Sequence, residues 1–224
     1  MFEYELQRSN RRTLSVKITK DAKIKVSAPK RMSVREIESF LFQKQDWIQK
    51  HLDEMSRRRE SAETFNPDEN SKLLLLGKEY PLRKTDGKAA GFDGESFYLP
   101  KTTVDGEVIS VLKEVYCSIA KDYIKKRTYE LAQSLGESVN SVKINSARTR
   151  WGSCTSKGNL NFSLFLIMAP PQAVDYCIIH ELSHLKQMNH SNAFWDLVES
   201  RDPDYKAHRE ELKRLQYRLS YENW

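Results

Sequence analysis

The sequence predicts an α+β protein, and three observations carry that prediction. Apolar and polar residues alternate through the first thirty positions, a helical stripe takes over at Glu107, and His180 to His190 read His-Glu-Leu-Ser-His-Leu-Lys-Gln-Met-Asn-His in a segment of helical period. The first hundred residues make a mostly β unit crossed by one long helix and hold no cluster of catalytic residue types. The expected division is therefore an N-terminal subdomain over 1–104 and a second domain over 105–224.

In chain order, Leu14, Val16 and Ile18 face one way, and Ile24 and Val26 repeat the alternation after a turn at Lys20-Asp21-Ala22, which predicts a hairpin or meander. Ser33 and Glu36 stand at the spacing of a capping box, in which each side chain satisfies a free amide of the other's end of the first turn. Ile37, Phe40, Leu41, Trp47, Ile48, Leu52 and Met55 follow at three-and-four spacing, so one helix is expected, running out near Arg57-Arg58-Arg59 with that run in water. Asn66-Pro67-Asp68 signals a loop. Residues 73–76 read as a buried strand, Gly77-Lys78 as a tight turn, 80–84 as the partner strand, and 96–99 as a short strand after turns at Asp86-Gly87 and Asp93-Gly94.

From Glu107, the line Val108, Leu112, Val115, Ile119 and Tyr123 predicts a helix of about 28 residues, roughly 42 Å long. Gly136 should stop it, and it should back the helix that carries the histidines. Strands are expected at 142–145 and 160–164 around the link Arg148-Thr149-Arg150-Trp151-Gly152-Ser153-Cys154. The second strand could border a cleft and, if it lies at an edge, lend its amides to an extended peptide. Trp151 is expected to anchor the core.

Composition narrows the function classes. No apolar run approaches the roughly 18 residues of a membrane span. Met1 to Leu6 show no basic segment followed by an apolar one, so no secretory signal and a cytoplasmic location are expected. Three cysteines at these spacings form neither a disulfide framework nor a metal knuckle. Cys177 reads as a small apolar filler, and Cys154 as a nucleophile is the lesser use of the nearby histidines. The net charge of +6 by itself says nothing about nucleic acid. Its distribution says more, because no acidic residue lies between Glu137 and Asp175 while Lys143, Arg148, Arg150 and Lys157 do. Arg148, Arg150 and Asn161 are the candidate substrate contacts.

The chemistry rests on the histidine window. Residues four apart on a helix point only about 40° apart, with Cβ atoms roughly 6 Å from one another, so His180 and His184 can grip one ion. Glu181 reaches a water on that ion more easily than the ion itself and stands where a general base belongs. A third imidazole from His190 would leave the fourth tetrahedral position open, as catalytic zinc requires and structural zinc does not. The pattern H-E-x-x-H also arises by chance, but three of the five histidines fall in this window. Val174, Ile178, Leu182 and Leu185 give the segment an apolar face beginning just after Pro170 and Pro171.

Glu199 is the rival third ligand, and Asp196 and Glu199 are candidates to orient a ligand histidine. Asn189 suits a left-handed turn that brings His190 back toward the ion. Ser191 suits the cap of a short helix holding Phe194, Trp195 and Val198, and Asp202-Pro203 opens a last helix through Leu212, Leu215 and Leu219.

With Arg150-Trp151-Gly152-Ser153-Cys154, Asn159-Leu160-Asn161, His180-Glu181-Leu182-Ser183-His184, Asn189-His190-Ser191 and Phe194-Trp195, the sequence resembles the YgjP-like metallopeptidase family of bacteria. The likeness runs through the whole chain and is most specific in its C-terminal half. It implies a zincin-like α+β fold, His180, His184 and His190 as ligands of one zinc ion, and Glu181 as the catalytic glutamate. It is similar also to the SprT-like and WLM proteases, which act on proteins attached to DNA. The spacing matches the metzincin pattern too, but Gln187 stands in place of its glycine.

The leading expectation is a metal-dependent peptidase acting on peptide or protein. A nucleoside triphosphate pyrophosphohydrolase with Arg148 and Arg150 on the phosphates is the second reading, and a non-catalytic metal-containing module that binds nucleic acid or protein is the third. Nothing in the sequence fixes the oligomeric state.

Overall fold

The computed structural model describes residues 2–19, 22–222 and 224, with 58–64 described by backbone alone. They fall into two units, Met1–Phe65 with Ser220–Asn223, and Asn66–Leu219 with Trp224.

In the smaller unit, β1 (Tyr4–Ser9), β2 (Ser15–Ile18) and β3 (Ile24–Pro29) form a sheet with β3 in the middle. β2 and β3 pair antiparallel with Val16 opposite Val26, as a hairpin should; Lys20 and Asp21 of its expected turn lie outside the described residues. β1 does not continue a meander. It runs parallel to β3, Tyr4 opposite Ile24, and the Arg8 guanidinium donates to the carbonyls of Pro29, Lys30 and Met32, which ties the two strands together at the same end. The alternation in β3 turns Ile24, Val26 and Ala28 inward, where they meet Ile37, Leu41 and Ile48 of the helices.

The capping box at Ser33 forms, with the serine hydroxyl accepting from the Glu36 amide and the Glu36 carboxylate accepting from the Ser33 amide. The single helix expected after it is two, α1 (Val34–Gln43) and α2 (Gln45–Thr64). Lys44 leaves helical geometry at φ −104°, ψ 12°, closing α1 with its own amide while its carbonyl accepts from Ile48 to open α2. One turn on, Trp47 stays 42 % exposed against the ring of His51 instead of joining the core. α2 continues past the arginine run, where the side chains of Arg58 and Arg59 lie outside those described.

The larger unit begins with a sheet of order β4-β5-β7-β6, built from β4 (Lys72–Leu75), β5 (Lys78–Thr85), β6 (Gly91–Phe92) and β7 (Phe97–Pro100). Leu76 and Gly77 turn β4 into β5 with φ of 49° and 76°, the paired positive angles of a type I′ turn. The same two amides donate to the carbonyls of Ile167 and Met168, and a Cβ on Gly77 would come within 2.9 Å of Pro170. The hairpin tip thus rests on the chain just ahead of the histidine helix.

α3 (Val108–Ser134) is the long helix expected, and Gly136 stops it at φ 66° while the Glu137 amide closes on the Ala132 carbonyl. Its buried line of Leu112, Tyr116, Ala120 and Ile124 packs on the 3-10 segment Leu164–Met168, and Tyr116 donates its hydroxyl to the Leu74 carbonyl. α3 also backs α4 (Pro171–Ser183), where the Arg127 guanidinium forks onto Asp175 through two bonds of 2.8 Å.

A second sheet, order β8-β10-β9, holds β8 (Ser141–Asn145), β9 (Gly152–Cys154) and β10 (Asn159–Ser163). β10 is therefore central, and the edge that faces α4 belongs to the three-residue β9. α5 (Asn192–Arg201) and α6 (Tyr205–Tyr221) complete an α+β fold. Among the described residues, no helix is long and apolar enough to cross a membrane.

Candidate metal centre

α4 starts on Pro171, whose fixed φ suits a first turn, and sinks Val174, Cys177, Ile178 and Leu182 into the core. That burial fixes the direction of the opposite shoulder, which carries His180 and Glu181. His184 sits at the end of the helix as its cap, and its Nδ1 lies 3.0 Å from the Gln187 carbonyl in the turn that follows. A carbonyl only accepts, so Nδ1 carries the proton and Nε2 keeps its lone pair.

His190 returns to the first two rings by a different turn from the one expected. Among the described residues only Ala22 and Leu76 are non-glycine positions with positive φ, so Asn189 is not left-handed; its side-chain oxygen accepts from the Ser191 amide at 3.3 Å and turns the chain that way. Ser191 precedes α5 as its cap without a side-chain cap bond. α5 then places Phe194, fully buried, against all three imidazoles, at ring separations of 4.9 Å from His180, 4.5 Å from His184 and 4.8 Å from His190. Trp195 stacks on His190 at 5.7 Å.

One nitrogen from each of His180, His184 and His190 lies within 4.8 Å of the others, and the three could hold a metal ion. Burial first, then the neighbouring His184, His190 and Arg209, pushes the His180 imidazole down to about 3, and burial lowers His190 as well. His180 and His190 are thus held neutral, the form that ligates. His180 and His190 meet Nε2 to Nε2 at 3.1 Å, while His180 Nδ1 is buried without a partner. Two imidazole lone pairs facing each other at that distance repel unless a proton or a cation lies between them, so the donor set fits a cation.

Glu181 is buried beside them, and burial pushes its carboxyl up to about 7, with the Arg150 charge opposing the rise. β9 packs against it so closely that a Cβ on Gly152 would lie 2.7 Å from the Glu181 carboxylate oxygen. A cavity of about 440 Å³ opens over His180 and Glu181. Trp151 and Gly152 form one part of its wall, Tyr176 and Cys177 of α4 another, and Arg209, Leu212, Lys213 and Gln216 of α6 a third.

The other candidates stand outside the imidazole cluster, with Arg150 near enough for its charge to act on Glu181. Arg148 and Arg150 do not line the cavity, although Thr149 between them does; the Arg148 carbonyl accepts from Gln216. Asn161, on the central strand, donates to the Ser153 hydroxyl at 3.5 Å. Glu199 pairs with Lys206 at 3.3 Å and Asp196 is exposed, so neither belongs to the imidazole cluster. Trp151 is a half-buried cavity wall and not a core anchor. Burial pushes the Cys154 thiol up to about 11, with the Glu181 charge adding to it, and raises the fully buried Cys177 well above its ordinary value. Neither is a thiolate nucleophile.

Two further parts of the site lack a local signal. Arg209 and Lys213 come 19 and 23 residues after the window, on a helix whose orientation only the fold decides. Glu137, with its side chain 3 % exposed, pairs with Arg201, which also donates to the Ser183 hydroxyl at 3.2 Å, and so ties the end of α3 to both α4 and α5.

A helix bearing two histidines and a buried glutamate, closed by a third histidine from the next turn in an α+β fold, defines the metallopeptidase class. The YgjP-like metallopeptidase domain matches residues 12–215, and the chain belongs to that family. Among solved structures it is similar to the zymogens of two metallopeptidases. Abylysin of Pyrococcus abyssi is 22% identical over 44% of this chain and 97% of its own, with a TM-score of 0.38. Jannalysin of Methanocaldococcus jannaschii is 22% identical over 43% and 92%, with a TM-score of 0.33. No curated protein is detectably similar to the chain.

Proposed function

We propose that this metallopeptidase works with one zinc ion held by His180, His184 and His190, with Glu181 as its general base, on peptides or proteins in the cytoplasm. The observation that carries the reading is the convergence of three imidazoles, one nitrogen of each within 4.8 Å of the others, beside the buried Glu181 carboxyl. When bound, zinc acidifies water and polarises a carbonyl. Glu181 takes the proton of the attacking water on a carboxylate oxygen and delivers it to the leaving amine. His184 keeps its Nε2 directed by donating Nδ1–H to the Gln187 carbonyl. β9 is the free edge of its sheet beside α4, and an extended substrate can pair with its amides and carbonyls.

Glu181→Gln tests the assignment. It should keep the metal content of the wild type and lower kcat by about 10³-fold or more, the loss that follows removal of a general base. Wild-type turnover in a variant that still holds its metal would refute it. The pyrophosphohydrolase reading needs Arg148 and Arg150 turned to the reacting group, and neither lines the cavity.

A further inference from the structure

The cavity over Glu181 is not neutral. Arg209, Leu212, Lys213 and Gln216 recur at the spacing of one helical face, so α6 presents two cations and one amide to the space into which α4 presents a single carboxyl. Among the described residues Arg209 has no carboxylate within ion-pair distance, whereas Lys213 is paired with Glu210 on its own helix. The Arg209 guanidinium lies over the Trp195 ring at 5.2 Å, and Trp195 in turn stacks on Tyr205 at 5.6 Å. An arginine seated on an aromatic face has its planar fork pre-oriented, and that fork matches a carboxylate in two bonds. It lines the same cavity as His180 and Glu181, which places it beside the reacting centre.

We propose that Arg209, assisted by Lys213, selects substrates that carry a carboxylate next to the scissile bond. The inference rests on the peptidase reading of the same cavity. Two sources offer that group, an aspartate or glutamate side chain inside a peptide and the free C-terminus of a short one. A positive wall rejects a lysine or arginine at the same position by like-charge repulsion, so the discrimination works from both sides.

The test uses the zinc-loaded full chain and matched peptides that differ at one residue beside the cleaved bond, Asp, Asn or Lys, each with a free and an amidated C-terminus. The Asp peptide should exceed the Lys peptide in kcat/KM by about fivefold or more, the scale set by a partly exposed ion pair. The preference should fade in high salt and reverse in Arg209→Glu, while Arg209→Lys keeps part of it. An advantage that follows the free C-terminus and not the side chain assigns the terminal carboxylate as the ligand. Equal rates for all three residues and both termini, or a preference unchanged in Arg209→Glu, would overturn the proposal. Titration of the same peptides into the Glu181→Gln protein separates this from the reading beneath it. Tighter binding of the acidic peptide without cleavage by the wild type would sink the peptidase reading and leave the recognition standing, and equal binding of all peptides would sink the recognition alone.

Discussion

The two halves of the histidine cluster are built in opposite ways. His180 and Glu181 project from a helix whose other face is fixed in the core by Val174, Ile178 and Leu182, so their directions follow from the pitch of α4. His190 stands on an exposed turn, Met188 to Ser191, that has no core of its own. What holds it is reached afterwards: Phe194 under all three rings and Trp195 stacked on His190, both from the first turn of α5. One half is placed by helix geometry and the other by aromatic packing, which makes the second half the softer one.

Deleting the imidazoles one at a time is the strongest way to break that contrast. His184→Ala and His190→Ala should each weaken metal binding by more than about a hundredfold, beyond the loss that supporting residues cause. Only His184→Ala should also destabilise the metal-free protein, because His184 is buried at the end of α4 and His190 is exposed. Chelator competition and thermal melts of the stripped proteins measure the two effects, and equal melting losses would remove the distinction. Phe194→Ala comes next. A fully buried phenylalanine costs about 3–5 kcal/mol on truncation, and here the cavity would open beneath the three imidazoles. A zinc affinity unchanged in a variant that still folds would show that the turn holds His190 without it.

Glu181 sharpens the comparison from the rigid side. Its folded pKa of about 7 lies above the ordinary 4.5, so the metal-free protein carries the full stability contribution of a protonated Glu181 below pH 4.5 and loses it as pH rises through 7. The ceiling on that loss is on the order of 3 kcal/mol. Glu181→Gln removes the titration, so the stripped variant should melt above the stripped wild type at pH 8.5, with the gap closing toward pH 5. His180, held neutral by burial, adds the same slope in both proteins at lower pH and cancels in the difference. A gap independent of pH would mean that the carboxyl is not buried in solution.

The parts of the site legible in the sequence are those that local geometry sets. His180, Glu181 and His184 declare themselves because helical pitch alone brings positions four apart together, and the capping box at Ser33 and the stop at Gly136 are equally local. The break at Lys44 carries neither proline nor glycine to announce it. β9 is three residues long, too short for an alternation, yet it supplies the edge beside Glu181. The parallel pairing of β1 depends on Arg8 finding carbonyls more than twenty residues away. Arg148 and Arg150 stand out as charges in an acid-free stretch, but charge in sequence does not say which way a loop residue faces. Arg209 faces the cavity from a helix with several similar cations, and nothing local marks it among them.

The smallest effect concerns a single carboxylate held from both halves at once. Glu137 is bound by Arg201 at the end of α5, whose side chain is 10 % exposed, and by Lys186, in the turn between α4 and His190, at 3.6 Å, whose side chain is 58 % exposed. Water screens the second ion pair and leaves the first nearly dry. Removing Arg201 leaves the buried Glu137 charge with only a screened partner, so Arg201→Ala should cost about 3 kcal/mol. Lys186→Ala should cost less than about 1 kcal/mol. Urea titrations of the two variants give the ratio directly. If Lys186→Ala proved as damaging as Arg201→Ala, the turn after α4 would have to be as firmly bound as the helix, and the softness assigned to the His190 side of the cluster would be mistaken.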